Sequence, residues 1–319
     1  MDEHHVKSFF TYLQSQQTAQ QFLKNCYKKN KVDNAESKSY ENCNAFMYYL
    51  NHGLDFYETG KKLNTILQPI LLFYGMIHML KATLLTKRPN YPETTKLLAH
   101  GVSSRKRKKK HYSFMNDEVK IQHNGLFPYF SRHLFSIEKI PFEKIKMQDL
   151  FAIIPEMNIL FEFDRNSKLI SVGNINGKSL SFPIQILDDY FLTERAFIKR
   201  ILPFTPDIKK VSSNNSNILI QLQSSFHEPS GPFFFNSENQ EIYFPMTKEN
   251  FVTISEVMAH YLLLYNLSMI SRYETEWWGD LISIKPEKDY PFIIYFLQLT
   301  SKKIPMLLGK RLYQLHTRS

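Results

Sequence analysis

Two cysteines in 319 residues, Cys26 and Cys43, are too few to staple a chain of this size. Neither lies in a Cys-x-x-Cys or Cys/His ligand spacing, so a disulfide framework and a structural zinc site are both left without support. Glycine is scarce as well, ten in all, which argues against a chain dominated by loops. The signatures G-x-x-x-x-G-K-S/T, G-x-G-x-x-G and G-x-S-x-G are missing, so P-loop, dinucleotide and hydrolase-elbow readings fall away. The 11 histidines form no H-E-x-x-H and no acid-supported helical pair. No metal and no cofactor is expected. The opening MDEHHVKSFFTYLQ has no basic region followed by an apolar one, so no export signal is read there, and the expected compartment is the cytoplasm.

What the chain does have is aromatic bulk. Hydrophobic residues make up 43% and aromatics 14%, with 26 Phe and 18 Tyr, well above what a disordered chain carries. The one long apolar run, Leu67–Leu85, is about a bilayer span in length. It contains Gln68, Pro69, His78 and Lys81, and a central lysine costs on the order of 3 kcal/mol in lipid. A buried core helix is expected, and no membrane partner. Asn64, Gln68, Gly75, His78 and Ala82 fall on one stripe of it, read either as a polar seam facing a partner or as a close helix–helix contact at Gly75.

Lys and Arg outnumber Asp and Glu by 40 to 30, a net charge of +10. More than half of that excess sits in Arg105, Lys106, Arg107, Lys108, Lys109 and Lys110, six cations in six positions. A run of that density repels itself, so it is either solvated or neutralised by an anionic partner.

Helical patterns dominate up to about residue 87: Ser15–Lys29, then a polar stretch at Asn30–Asn42 expected as a loop, then Ala45–Tyr57 with Gly53 as an interruption or end. From Phe151 to Leu222 short alternating segments separated by Asn-, Ser- and Gly-rich turns predict strands, with Asn176-Gly177 as a hairpin turn and a helix over Asp188–Ile201. Residues 151–163 are included among these strands, and Glu241–Phe244 is a further one. Helices return at Thr253–Tyr273, where Thr253 and Glu256 make a capping-box spacing, and then at Tyr290–Ser301 and Ile304–His316.

Several long stretches carry a resemblance. LQPILLFYGMIHMLKATLL (67–85), Tyr91-Pro92, LLAHGVSSRKRKKKHYSFMNDEVKIQHNGLFPYF (97–130) and DLFAIIPE (149–156) form the first group. ISEVMAHYLLLYNLSMISRYETEWWGDLI (254–282) and PFIIYFLQLTSKKIPMLLG (291–309) form the second. Together they resemble the YaaC-like family of bacterial proteins over nearly the whole chain, which implies a compartment but no reaction. LFYGMIHMLKATLL followed by His100-Gly101-Val102 is also similar to the core helices of HEPN-type domains. That resemblance implies an RNA-directed function, and in some members a metal-independent ribonuclease built on an Arg and a His a few residues apart.

The expected fold is α+β and mostly helical. A HEPN-like N-terminal portion (1–145) carries the basic loop 103–112, a β-containing portion covers 146–250, and a C-terminal helical portion (251–319) packs on the first. The candidate nucleic-acid site is Arg105–Lys110 with Tyr112, and Phe114 beside it, since aromatics next to cations stack bases. The ribonuclease resemblance marks Arg105 with His111 and Arg311 with His316 as candidate catalytic pairs, His as acid or base and Arg against developing phosphate charge. Arg272, Glu274, Trp277 and Trp278 make a second candidate, a pocket or interface, or else a helix cap with two anchoring rings. The partners in view are RNA, an acidic protein or a small anionic metabolite, and a homodimer is allowed.

Overall fold

The computed structural model describes residues 3–105 and 112–317. In chain order the elements are α1 (Glu3–Tyr12), α2 (Gln16–Lys29), α3 (Ala35–Lys62), α4 (Gln68–Leu85), β1 (Val102–Ser104), β2 (Glu118–Ile121), α5 (Leu126–Phe135) and β3 (Lys144–Lys146). There follow α6 (Met147–Phe151), α7 (Asn158–Phe163), β4 (Leu169–Asn174), β5 (Ser179–Pro183), α8 (Ile186–Tyr190), α9 (Glu194–Ile201), β6 (Ile208–Ser213), β7 (Asn217–Leu222), β8 (Phe234–Asn236) and β9 (Glu241–Pro245). Three helices close the chain, α10 (Glu256–Tyr273), α11 (Thr275–Ile284) and α12 (Asp289–Thr317). The fold is α+β and mostly helical, with small antiparallel sheets in the middle of the chain.

Two compact units emerge. The first joins residues 1–144 to 260–319, and the second is continuous, 145–259. In the first, α4 is the central element and packs on α3 and α12. By length and composition α4 could cross a membrane, yet 67% of it is buried inside the fold. The stripe on α4 serves a close helix crossing. A Cβ on Gly75 would lie 2.9 Å from Tyr57, 3.0 Å from Phe56 and 3.1 Å from the Gly53 carbonyl oxygen. The two glycines let α3 and α4 approach to backbone contact, so Gly53 continues α3 where an interruption is expected. The helix also starts earlier than predicted, consuming most of the polar stretch 30–42. Ser39, Cys43, Phe46 and Leu50 place one buried face at helical spacing, and the polar residues between them face outward.

In the second unit the order of one sheet is β4-β9-β8 and of the other β5-β7-β6, all antiparallel. Phe182, Phe197, Phe233 and Phe244 pack their rings between and beneath these strands, with Phe182–Phe244 and Phe182–Phe197 centroids at 5.2 Å. Asn176-Gly177 does make a turn, closed by the Gly177 N–H on the Asn174 carbonyl at 2.9 Å. It is not a hairpin, because β4 pairs with β9 while β5 pairs with β7.

Four other expectations need correction. Residues 151–163 are short helices and a 3-10 turn opened by Pro155, not strand. Residues 151–158 are buried without a break, and such a run has no period that separates buried helix from buried strand. The helix over 188–201 is two, broken where Phe191 adopts a left-handed φ of 52° and Thr193 caps α9. The cap of α10 is Ser255, whose hydroxyl oxygen accepts the Val257 N–H at 3.3 Å, rather than Thr253. Finally, α12 runs unbroken through Pro305. Ile293, Phe296, Ile304, Leu308 and Leu312 keep one buried stripe across the proline, and that packing outweighs the missing N–H.

A latched basic loop as the candidate nucleic-acid interface

The basic run lies in the connection between two paired strands. β1 and β2 are antiparallel, with Val102 opposite Ile121 and Ser104 opposite Val119, and residues 105–117 join them. Arg105 is exposed. Lys106, Arg107, Lys108, Lys109, Lys110 and His111 lie outside the described residues, so the placement of the Arg105/His111 pair is not described either.

Both feet of the connection are fixed to the first unit. On the near side, the Tyr261 hydroxyl of α10 donates to the His100 carbonyl at 2.9 Å, and the Gln122 N–H to the Gly101 carbonyl at 2.9 Å. On the far side, the Tyr112 hydroxyl donates to Asp117 Oδ2 at 2.7 Å, and Asn266 Nδ2 of α10 donates to the same oxygen at 2.9 Å. Asp289, at the start of α12 and only 2% exposed, accepts the Ser113 hydroxyl at 3.3 Å and the backbone N–H groups of Phe114 and Met115. Burial pushes this carboxyl up from the ordinary aspartate value, and its three donors pull the other way.

The two aromatics beside the run are committed to the fold. Phe114 is fully buried. The Tyr112 ring meets Trp277 edge-on, centroids 4.8 Å apart, and burial followed by the Asp117 charge pushes its phenol up. Tyr112 and Phe114 therefore hold the loop's foot, Phe114 with no face open to a base and Tyr112 with its ring packed against Trp277. An exposed aromatic does lie one helix end away: Tyr273 is 63% exposed, with the Arg272 guanidinium 5.2 Å above its ring.

The other candidates separate. Arg272 Nε donates to the Ser268 carbonyl at 2.9 Å, finishing the last turn of α10. Glu274 opens α11, its carbonyl accepting the Trp278 N–H at 2.9 Å. Trp278 is 1% exposed and its Nε1 donates to the Ile66 carbonyl at 3.1 Å, while Trp277 is half-buried against Tyr112. These four tie a helix junction together. Arg311 donates to the Leu134 carbonyl and lies over Phe135 at 4.8 Å. His316 packs instead against Phe9, Tyr12 and Phe22. Five residues apart on one helix, the two point about 140° from each other, and they reach different neighbours. Among the described residues, no group of three His, Cys, Asp or Glu side chains is placed to hold a metal ion.

The latch was not readable locally. Asp289 looks like an ordinary helix-start acid, and the hydroxyl it binds is 176 positions away. A model of the YaaC-like protein family matches residues 11–312, spanning both units, the basic run and the Arg272–Trp278 junction. The chain belongs to the YaaC-like family. No curated protein and no solved structure matches it. Membership in the YaaC-like family names the chain's kin without assigning a reaction, so function rests on the site itself.

Proposed function

We propose that this protein is a cytoplasmic RNA-binding protein that engages the phosphate backbone through Arg105–Lys110. One observation supports the reading above the others: six cations with no acid among them occupy a connection whose two feet are both bonded to the same helical unit. A tethered run loses less conformational freedom on binding than a free tail, so more of its phosphate attraction remains as affinity. Arg272 over exposed Tyr273 offers a neighbouring face on which a base can stack. Binding needs no bond cleavage, and cleavage is a separate readout of the same assay.

The test uses protein purified with nuclease treatment and a single-stranded RNA oligomer at two salt concentrations. The wild type is compared with a variant carrying Gln at Arg105 through Lys110. Affinity should fall steeply with salt, and the variant's log–log slope should be shallower by about 4, six contacts at roughly 0.7 each. No binding at low salt overturns the reading, and capture of an acidic protein that survives nuclease would give the run a different partner. Cleavage, where seen, is assigned by His111→Ala, because Arg311 and His316 do not face a common site.

A further inference from the structure

A cavity of about 400 Å³ opens on the first unit, away from the latch residues, lined by Asn30, Lys87, Arg88, Asn90, Glu93 and His133 among others. Its size suits a small organic ligand. Its lining is mostly polar, and two formal cations face one carboxylate. That carboxylate is already occupied. Arg88 donates to Glu93 Oε1 from Nη2 at 2.7 Å and from Nε at 3.1 Å. The Tyr129 hydroxyl lies 2.6 and 2.7 Å from the two Glu93 oxygens and donates to them. Arg88 Nε also reaches the Tyr129 oxygen at 3.0 Å. This network fixes the guanidinium plane while its side chain remains 42% exposed, and it leaves the Nη1 edge as the unassigned end of the fork. His133 stands beside it, its ring 4.4 Å from Tyr129.

We propose that this cavity binds a phosphate monoester. Arg88 would supply a positioned two-donor edge, Lys87 a second cation and His133 a ring N–H. A tetrahedral dianion offers this set three terminal oxygens and two negative charges, where a carboxylate offers two oxygens and one charge. Glu93 and Tyr129 act as positioning residues that orient Arg88. Charge favours the dianion further: Arg88 and Lys87 both bring positive charge to the lining, and proton uptake by His133 adds another. The groups facing His133 are Arg88, Glu93, Arg132, Glu138 and Tyr129. In the free protein burial and then the Arg88 charge hold His133 below its ordinary value, and a bound dianion reverses that balance.

The monoester has two sources, a free phosphorylated metabolite or the terminal phosphate of an RNA strand. Calorimetric titrations of the full chain with inorganic phosphate, adenosine monophosphate and adenosine test the chemistry. The same RNA oligomer with and without a terminal phosphate separates the sources. Adenosine monophosphate should bind, adenosine should not, and binding should take up protons, seen as heats that change with buffer ionisation enthalpy. Arg88→Gln and Lys87→Gln should each weaken binding about tenfold, and His133→Gln should remove the proton uptake. Thermal melts show whether Arg88→Gln has unfolded, and Lys87→Gln carries the test if it has. Equal binding of adenosine, no binding of any phosphorylated probe, or binding indifferent to Lys87 and His133 overturns the proposal. The Arg105–Lys110 variant should retain monoester binding, so the two proposals fail separately.

Discussion

The two units bury polar groups for different ends. In the second, the core is a cluster of Phe, Ile and Leu, and its buried polar side chains hold strands and turns in place. Glu156 accepts the Ser237 N–H and hydroxyl and the Tyr190 hydroxyl donates to the Pro245 carbonyl, while Asn158 closes a nearby loop. Asn158 is 3% exposed: its Oδ1 accepts the Lys168 and Leu169 N–H groups at 2.8 and 3.0 Å, and its Nδ2 donates to the Leu169 carbonyl at 3.1 Å. That one amide starts β4. In the first unit, buried polar contacts join segments far apart in sequence: Tyr261 to His100, Asn266 to Asp117, Asp289 to Ser113 and Trp278 to Ile66. The first unit is assembled from both ends of the chain, so directional bonds fix how those ends meet. The lesson is that polar burial in the second unit fixes strands and turns, while in the first it joins early and late segments of the chain at the foot of a charged segment.

The sharpest way to break the comparison is to hollow out the apolar core. Phe244→Ala removes a ring that meets Phe182, Tyr190, Phe197, Phe233 and Phe251, and should cost about 3–5 kcal/mol in urea unfolding. RNA affinity per folded molecule should not change. Asp289→Ala strands three donors and should cost about 3 kcal/mol, with the further effect that RNA binding weakens as the loop's foot is released. Asn158→Ala should cost about 2 kcal/mol and speed amide exchange at Lys168 and Leu169, while leaving RNA affinity alone. An equal fall in RNA affinity from Asn158→Ala would erase the distinction.

Smaller effects sharpen it. Gly75→Ala should cost about 1–3 kcal/mol by forcing α3 from α4, measured by thermal melting. His78, half-buried between Phe56 and Tyr49 and close to His52, is held down to about 4 by burial, then by Lys81 and His52. The folded state thus binds this proton less readily than the unfolded chain does. Its contribution is complete above the ordinary histidine value of 6.5 and is lost as pH falls from there toward 4. His78→Gln should flatten stability against pH in that window, and an unchanged slope would remove His78 from the account.

How far the sequence was legible follows from the range of the forces involved. The alternating segments that became β5, β7 and β9, and the apolar helix that became α4, were readable because burial period is a local signal. Strand partners were not: Asn174–Gly177 dictates a turn but does not say that β9, some seventy residues on, will take β4. The continuity of α12 through Pro305 was hidden because the propensity of one residue was overruled by a stripe of buried contacts. At the site, the charge density of Arg105–Lys110 was plain, whereas the Asp289 latch and the Arg88–Glu93–Tyr129 network needed three dimensions. A carboxylate shows in sequence as an acid and only in the fold as a clamp.

The division of the chain also has a bearing on its synthesis. The second unit is complete once residue 259 has been made, although it lies mid-chain, while the first waits for α12 to close on α1, α3 and α4. On a ribosome adding 5–20 residues per second, the apolar face of α4 stands uncovered by α12 for roughly ten seconds or more. A nascent chain of this kind leaves its most hydrophobic helix without one of its packing partners until α12 has been made. Chaperone demand should therefore track the rate of translation through the β-rich middle, where slow codons lengthen that exposure.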